Sequence, residues 1–286
     1  MIRRPVTGRA WREDRHEPDQ RAVVEADRVI VGLLMLAGGV AAGLFGSLLG
    51  LGGGLLIVPL LTIGFGLPLR ESVGVSLVCV IVTSSASAGV FLQRRQADLR
   101  LGMTLELFTA MGAIAGGLVA FLLDERVLAA LFAALLIYVA VTMARASSGE
   151  AAHDVSASPT GLPYQRMPAA LVGSVGAGIF SALLGVGGGT VKVPVMHLIM
   201  GIPLRVATAT SNLMIGITAS ASALVYLLRG GIDVYAVGPT AVGVFVGATL
   251  GSRFGGRVHV RVLRLLFVAV LLFTAFEMAR RAVFGA

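Results

Sequence analysis

Apolar residues fill this 286-residue chain in long blocks, and polar residues fall mostly between the blocks. Val29 to Leu49 is a nearly continuous apolar run, and its length suits one membrane-spanning helix, for which about 17–25 residues are needed. Further full spans are predicted at Glu71 to Gln93, Gly102 to Leu123, Val127 to Ala144, Met167 to Val186, Arg205 to Leu228, Val234 to Phe254 and Val260 to Arg281. Two apolar stretches are shorter. Gly54 to Leu67 stops at Pro68 and Thr190 to Met200 stops before Pro203, so both are expected to be re-entrant or broken helices. The polar breaks include RRQADLR, DER and the stretch from Arg145 to Arg166, whose Ser, Pro, Gly and mixed charges predict a flexible connector. His153 in that connector is expected to be solvated. The predicted fold class is an all-α polytopic membrane protein with about eight full spans and two short helices.

The two halves repeat. Shifting the chain by 135 residues lays GSLLGLGGGLLIVP, Gly46 to Pro59, on SALLGVGGGTVKVP, Ser181 to Pro194. From Gly43 to Arg70 against Gly178 to Arg205, 14 of 28 positions are identical without a gap. The predicted organisation is an arm at 1–28, a membrane repeat at 29–145, a linker at 146–166 and a second repeat at 167–286. Each copy holds three consecutive glycines and then a proline, which together disfavour an uninterrupted helix. Opened backbone at membrane depth survives where protein or a water-filled cavity satisfies its polar groups. Paired Gly/Pro-interrupted segments at matching places in two halves point to a transporter's binding site.

Composition narrows the class. With 56% hydrophobic residues, 13% charged residues and a mean hydropathy of +0.90, the chain has too little polar surface to cover a soluble globule. The formal charge of +8 comes from arginines at segment ends, which suits headgroups and topology rather than nucleic acid. The single cysteine, Cys79, excludes an internal disulfide and a multi-cysteine metal site, and its apolar setting reads as packing. Met1 to Arg28 lacks the pattern of a secretory signal and reads as a disordered or amphipathic cytoplasmic arm. If the short helices are re-entrant and the N-terminus is cytoplasmic, fifteen arginines lie inside and seven outside; if all ten segments cross, the split is twelve to ten. The positive-inside rule then places the N-terminus and the connector on the same, cytoplasmic side, and the expected location is the cell (inner) membrane.

No HExxH, GxSxG with triad context or Walker-type motif is present, so neither an enzyme nor an ATP-driven pump is predicted, and no cofactor or metal is expected. The glycine breaks offer backbone amides instead. Gly52, Gly53 and Gly54 with Pro59, and Gly187, Gly188 and Gly189 with Pro194, are expected to form anion-binding nests, against the plainer reading of close helix packing. Lys192, the chain's one lysine, lies inside the second motif, where a buried cation calls for an anion or a counter-charge; its mate is Ile57. Ser76, Thr83, Ser85 and Ser87 align with Ser211, Thr218, Ser220 and Ser222, and Ser76 and Ser211 with Asn212 are the candidate hydroxyl and amide donors to an oxyanion. Arg70 and Arg205 recur after each motif, as oxyanion ligands or as interface anchors. Glu106 is a candidate proton-coupling group without a repeat mate, Glu277 lies near an end, and His197 is a candidate for proton or substrate contact.

The doubled motif at Gly50 to Pro59 and Gly185 to Pro194, with the apolar segments around it, resembles the TauE/SafE family of membrane proteins, the sulfite exporter family, over roughly Ile30 to Arg281. The resemblance implies a secondary transporter, with export as its direction, of small anions such as sulfite, sulfoacetate or other organosulfonates. An anion channel is the nearest alternative, followed by a membrane-embedded enzyme or assembly component. The implied partners are a small-molecule anion and the lipid bilayer, with no nucleic acid; a homo-oligomer is compatible with the sequence.

Overall fold

A computed structural model of the protein describes residues 20–49, 53–93, 98–145, 166–254 and 260–284. The helices of the first half are α1 (Gln20–Leu49), α2 (Gly54–Pro59), α3 (Leu69–Gln93), α4 (Leu99–Ala120) and α5 (Glu125–Arg145). Those of the second are α6 (Met167–Leu184), α7 (Gly189–Pro194), α8 (Leu204–Leu228), α9 (Val234–Phe254) and α10 (Val260–Phe284). No strand occurs among the described residues, and seven of their helices are long and apolar enough to cross a membrane. α10 is the eighth long helix, with its charges gathered at its two ends. Leu33, Met103, Leu107, Met111, Val172 and Phe276 are exposed on the outer faces of their helices, which suits a lipid solvent. α1 begins nine residues before the predicted span, so Gln20 to Arg28 of the arm expected to be disordered or amphipathic is helical, and residues 1–19 of it lie outside the described residues. The connector at 146–165 and its His153 lie outside the described residues, as does Gly52.

The short helices break where the sequence says they should. Pro59 has no N–H to give, and its ring crowds the carbonyl four residues back, so the following turn widens into a π-helical turn over Leu60–Gly64. Pro194 does the same ahead of Val195–Ile199. Each break ends in a Pro-Leu-Arg sequence that starts the next long helix at Leu69 or Leu204.

Glycine stripes join the halves crosswise. α1 packs on α9 and α6 packs on α4, through backbone contact that a Cβ would obstruct. A Cβ at Gly43 would lie 2.9 Å from Val244 Cα, and one at the repeat mate Gly178 would lie 2.7 Å from Ala113 N. Contact through glycine gives close approach and dispersion energy where apolar burial gains nothing against lipid. Along α1, Leu36, Val40 and Leu44 meet Gly243, Gly247 and Gly251 in turn, so α1 and α9 run parallel. Val175 and Ile179 likewise meet Gly112 and Gly116, making α6 parallel to α4.

The central pair runs the other way. Ser84 of α3 donates to the Asn212 carbonyl early in α8 at 2.8 Å, whereas Gly74, early in α3, meets Gly231 just past the end of α8. Thus α3 and α8, which are repeat mates, are antiparallel. Gly74 also meets Ile232, and Gly53 touches both Thr83 and Val244, so α3 advances with α9 and hence with α1. Two parallel helices joined in sequence require the chain between them to return, so the α2 segment crosses back rather than dipping in and out. The mate segment at α7 returns between α6 and α8, both parallel to α4, as registers such as Gly102 with Thr210 and Gly117 with Val225 require.

This corrects the predicted topology. The length rule treats a crossing as one uninterrupted helix, but a broken helix followed by Phe65 to Pro68 covers the distance. Five crossings per half set α1's start and α5's end on opposite faces, and the halves are inverted. Cysteines placed at the exposed positions Asp27 and Ala144 in a Cys79→Ser background should therefore be labelled from opposite sides of the membrane, with Val283→Cys matching Asp27. Labelling of Asp27 and Ala144 from one side would restore the re-entrant topology.

Candidate functional site

α4 and α8 lie side by side in a register fixed at their starts. The Asp98 carboxylate accepts from Leu101 N at 3.1 Å and caps α4, while Asp98 N donates to Thr210 Oγ1 at 2.9 Å. Eight residues further along both parallel helices, that register brings Glu106 opposite Thr218. Lys192 of α7 completes the group. Its Nζ donates to Glu106 Oε2 at 2.9 Å and to Thr218 Oγ1 at 2.5 Å, and Thr218 Oγ1 donates to Glu106 Oε1 at 2.6 Å. The side chains of Lys192 and Glu106 are 1% and 5% exposed. Both carboxylate oxygens are engaged; the third ammonium proton has no partner among the described residues.

The repeat mate of this cluster is apolar. Ile57, Ala241 and Thr83 stand where Lys192, Glu106 and Thr218 stand, and Ile57 is fully buried in a cluster with Val75, Cys79 and Val244. Thr83 turns its hydroxyl back to the Val80 carbonyl at 3.0 Å. One backbone frame thus holds an ion pair on one side and hydrocarbon on the other.

The two glycine motifs converge at the centre. Ser76 Oγ donates to the Gly185 carbonyl at 2.7 Å and lies 3.2 Å from the Gly54 carbonyl, clamping one motif to the other. A Cβ at Gly54 would come within 2.6 Å of that Gly185 oxygen, so glycine is needed for close approach. Gly187 and Gly188 have φ of 77° and 78°, a left-handed conformation that a side chain strains. Gly53 has φ −67°, so the left-handed backbone at Gly188 has no counterpart at its repeat mate. The repeat mates Val80 and Ile215 close over Gly187, each within 2.7 Å of where its Cβ would be.

Several of the residues expected to meet an anion have partners within the protein. The glycines expected to form the nests, Gly53 and Gly54 and Gly187 to Gly189, come before the first helix-closing bonds, in which Leu56 and Ile57 N–H donate to the Gly53 carbonyl, and Val191 and Lys192 N–H to that of Gly188. Asn212 Nδ2 donates to the Thr208 carbonyl of its own helix at 3.1 Å. Arg70 donates to the Leu123 carbonyl at 2.8 Å and lies over the Phe121 ring. The Arg205 side chain lies outside the described residues. His197 Nδ1 pairs with the Ile202 carbonyl at 2.8 Å, and Glu277 pairs with Arg280. Pro59 and Pro194 shape the breaks.

Side-chain donors remain at the second motif. Ser181 and Ser211 are each 1% exposed, and neither hydroxyl has a hydrogen-bond partner among the described residues. A Cβ on Gly188 would stand 3.2 Å from Ser181 Cβ and 3.5 Å from Lys192 Cε, and one on Gly189 would stand 3.5 Å from Ser211 Oγ. Ser181 escaped the sequence reading because its mate is Gly46, so no paired hydroxyl marked it.

Similarity to known proteins agrees with this architecture. The family model described as Sulfite exporter TauE/SafE matches residues 35–278. The chain is 25% identical over 272 residues to the probable membrane transporter protein YunE of Bacillus subtilis, covering 88% of this chain and 99% of that protein. It is 25% identical over 253 residues to the probable membrane transporter protein MJ0441 of Methanocaldococcus jannaschii, covering 83% and 91%. It is 28% identical over 290 residues to the probable membrane transporter protein MamO of Paramagnetospirillum magneticum, covering 87% of this chain and 44% of that protein. No solved structure matches significantly. With a match across nearly all its membrane helices, the chain belongs to the TauE/SafE sulfite exporter family of membrane transporters.

Proposed function

We propose that the protein is a secondary transporter of small anions, sulfur oxyanions or organosulfonates, and that the anion is received at the second glycine motif by Lys192, Ser181 and Ser211. The family description favours this substrate class, with export as the direction. One observation carries the choice of site: an ammonium and two buried hydroxyls with unused donor capacity among the described residues lie around Gly188 and Gly189. A buried donor without a partner costs about 1–3 kcal/mol, and an oxyanion would satisfy several at once. In the structure the motif is closed by Val80 and Ile215, so loading requires these mates to separate.

The repeat-mate serines test the site. Ser76→Ala removes the clamp between Gly54 and Gly185 and should lower stability by about 1–3 kcal/mol with anion affinity unchanged. Ser211→Ala removes a hydroxyl with no partner among the described residues, so stability should hold while sulfite or sulfoacetate binding weakens about tenfold, as for one hydrogen bond to a charged ligand. Equal effects of both changes on affinity would remove the assignment. Reconstituted flux separates the rival anion channel: a transporter saturates with substrate, whereas a channel's conductance keeps rising.

A further inference from the structure

We propose that Glu106 is the proton-binding group of transport and that it competes with the substrate for the Lys192 ammonium, so that a monovalent oxyanion or sulfonate loads only together with a proton. This rests on the anion-transport reading and adds the mode of coupling to it.

Charge must balance where Lys192 and Glu106 are buried away from water. With Lys192 as ammonium and Glu106 as carboxylate, the pair is neutral and closed, each carboxylate oxygen holding a donor. A monovalent anion bound to Lys192 beside that carboxylate would leave one net negative charge away from water, which membrane interiors hold poorly. A proton taken up by a Glu106 carboxylate oxygen removes the excess: ammonium, carboxylic acid and anion again sum to zero. Lys192 keeps its protons throughout. The proton comes from the same water-filled side as the anion and leaves with it.

The surroundings supply no other group for this task. Among the described residues α6 carries no ionisable side chain, and α8 offers Tyr226, whose hydroxyl donates to the Ala182 carbonyl, and Arg205, thirteen residues before Thr218. α7 offers Lys192, and the π turn after it offers His197, which faces the Ile202 carbonyl. On α4 itself Asp98 and Arg100 lie at the opening turn. The apolar mate site, Ile57 with Ala241, has neither ammonium nor carboxylate, so one proton accompanies one anion per chain.

The test is calorimetric binding of methanesulfonate and of sulfite to the purified protein in two buffers of different ionisation enthalpy, corrected for sulfite's own protonation. The wild-type protein should take up one proton per anion bound, with affinity falling about tenfold per pH unit on the alkaline side. Glu106→Gln, which keeps the carboxamide neutral, should bind with no proton uptake and a flat pH profile. Wild-type binding without proton uptake, or equal uptake in Glu106→Gln, overturns the coupling and leaves the transport reading standing. If neither anion binds the wild-type protein, the anion-transport reading itself fails and the coupling falls with it. Should Glu106→Gln not fold, the wild-type proton count alone decides.

Discussion

Glu106→Ala is expected to cost about 3–5 kcal/mol of stability, because it strands the Lys192 ammonium at 1% exposure with Thr218 as its remaining partner. Lys192→Ile should cost a comparable amount by stranding the carboxylate. The double change should recover most of the loss. Its template is in the molecule: Ile57 and Ala241 occupy the same frame in the other half and pack without a charge. A buried ion pair is usually matched in stability by hydrocarbon of similar volume, while removal of one partner is severe. Thermal unfolding of the two singles and the double in detergent checks this. Additive losses would mean that the two residues do not act as a pair, whereas recovery in the double measures their coupling directly.

The second large effect lies in the glycine seam between α4 and α6. Gly178→Val should lower folded yield sharply, with a cost at or above the upper end of the about 1–3 kcal/mol typical of overpacking. Its Cβ would press on Thr109 and Ala113 backbone, atoms that cannot rotate aside. Forcing α6 off α4 also displaces the helix that holds Glu106, so transport should fall with yield. Gly176, two residues earlier, has nothing within 4 Å of a Cβ, so Gly176→Ala should be neutral or should stabilise by up to about 1 kcal/mol through helix propensity. The contrast separates packing from propensity, since both changes add a side chain to one helix. Comparable losses at both positions would show that the seam is not what the glycine serves.

How far the sequence led can be judged at these residues. The glycine triplets and Pro59 and Pro194 announced broken helices because their chemistry is local: a missing Cβ and a missing N–H act on their own turn. Lys192 was marked as costly wherever it lay, but its partner sits 86 residues away on α4, and the apolar mates Ala241 and Ile57 gave no symmetry by which to find it. Ser76 and Ser211 look alike in sequence and differ in work, because which carbonyl lies within reach is decided by tertiary packing. Gly53 and Gly188 share a position in the repeat and differ in φ for the same reason. The arginine count favoured the wrong topology because its margin depended on treating a broken crossing as no crossing.

On the proposed mechanism Lys192 of the second motif holds the anion during transport while Glu106 yields to it, and the first motif is the uncharged mate. The most direct test is sulfite and sulfoacetate flux in vesicles reconstituted with the wild-type chain and with the Lys192→Ile, Glu106→Ala double variant, which copies the mate site while keeping the fold. Saturable flux in the wild type, and flux no greater than in empty vesicles from a double variant that unfolds at the wild-type temperature, is the predicted result; saturable flux with unchanged KM in that double variant would contradict the account.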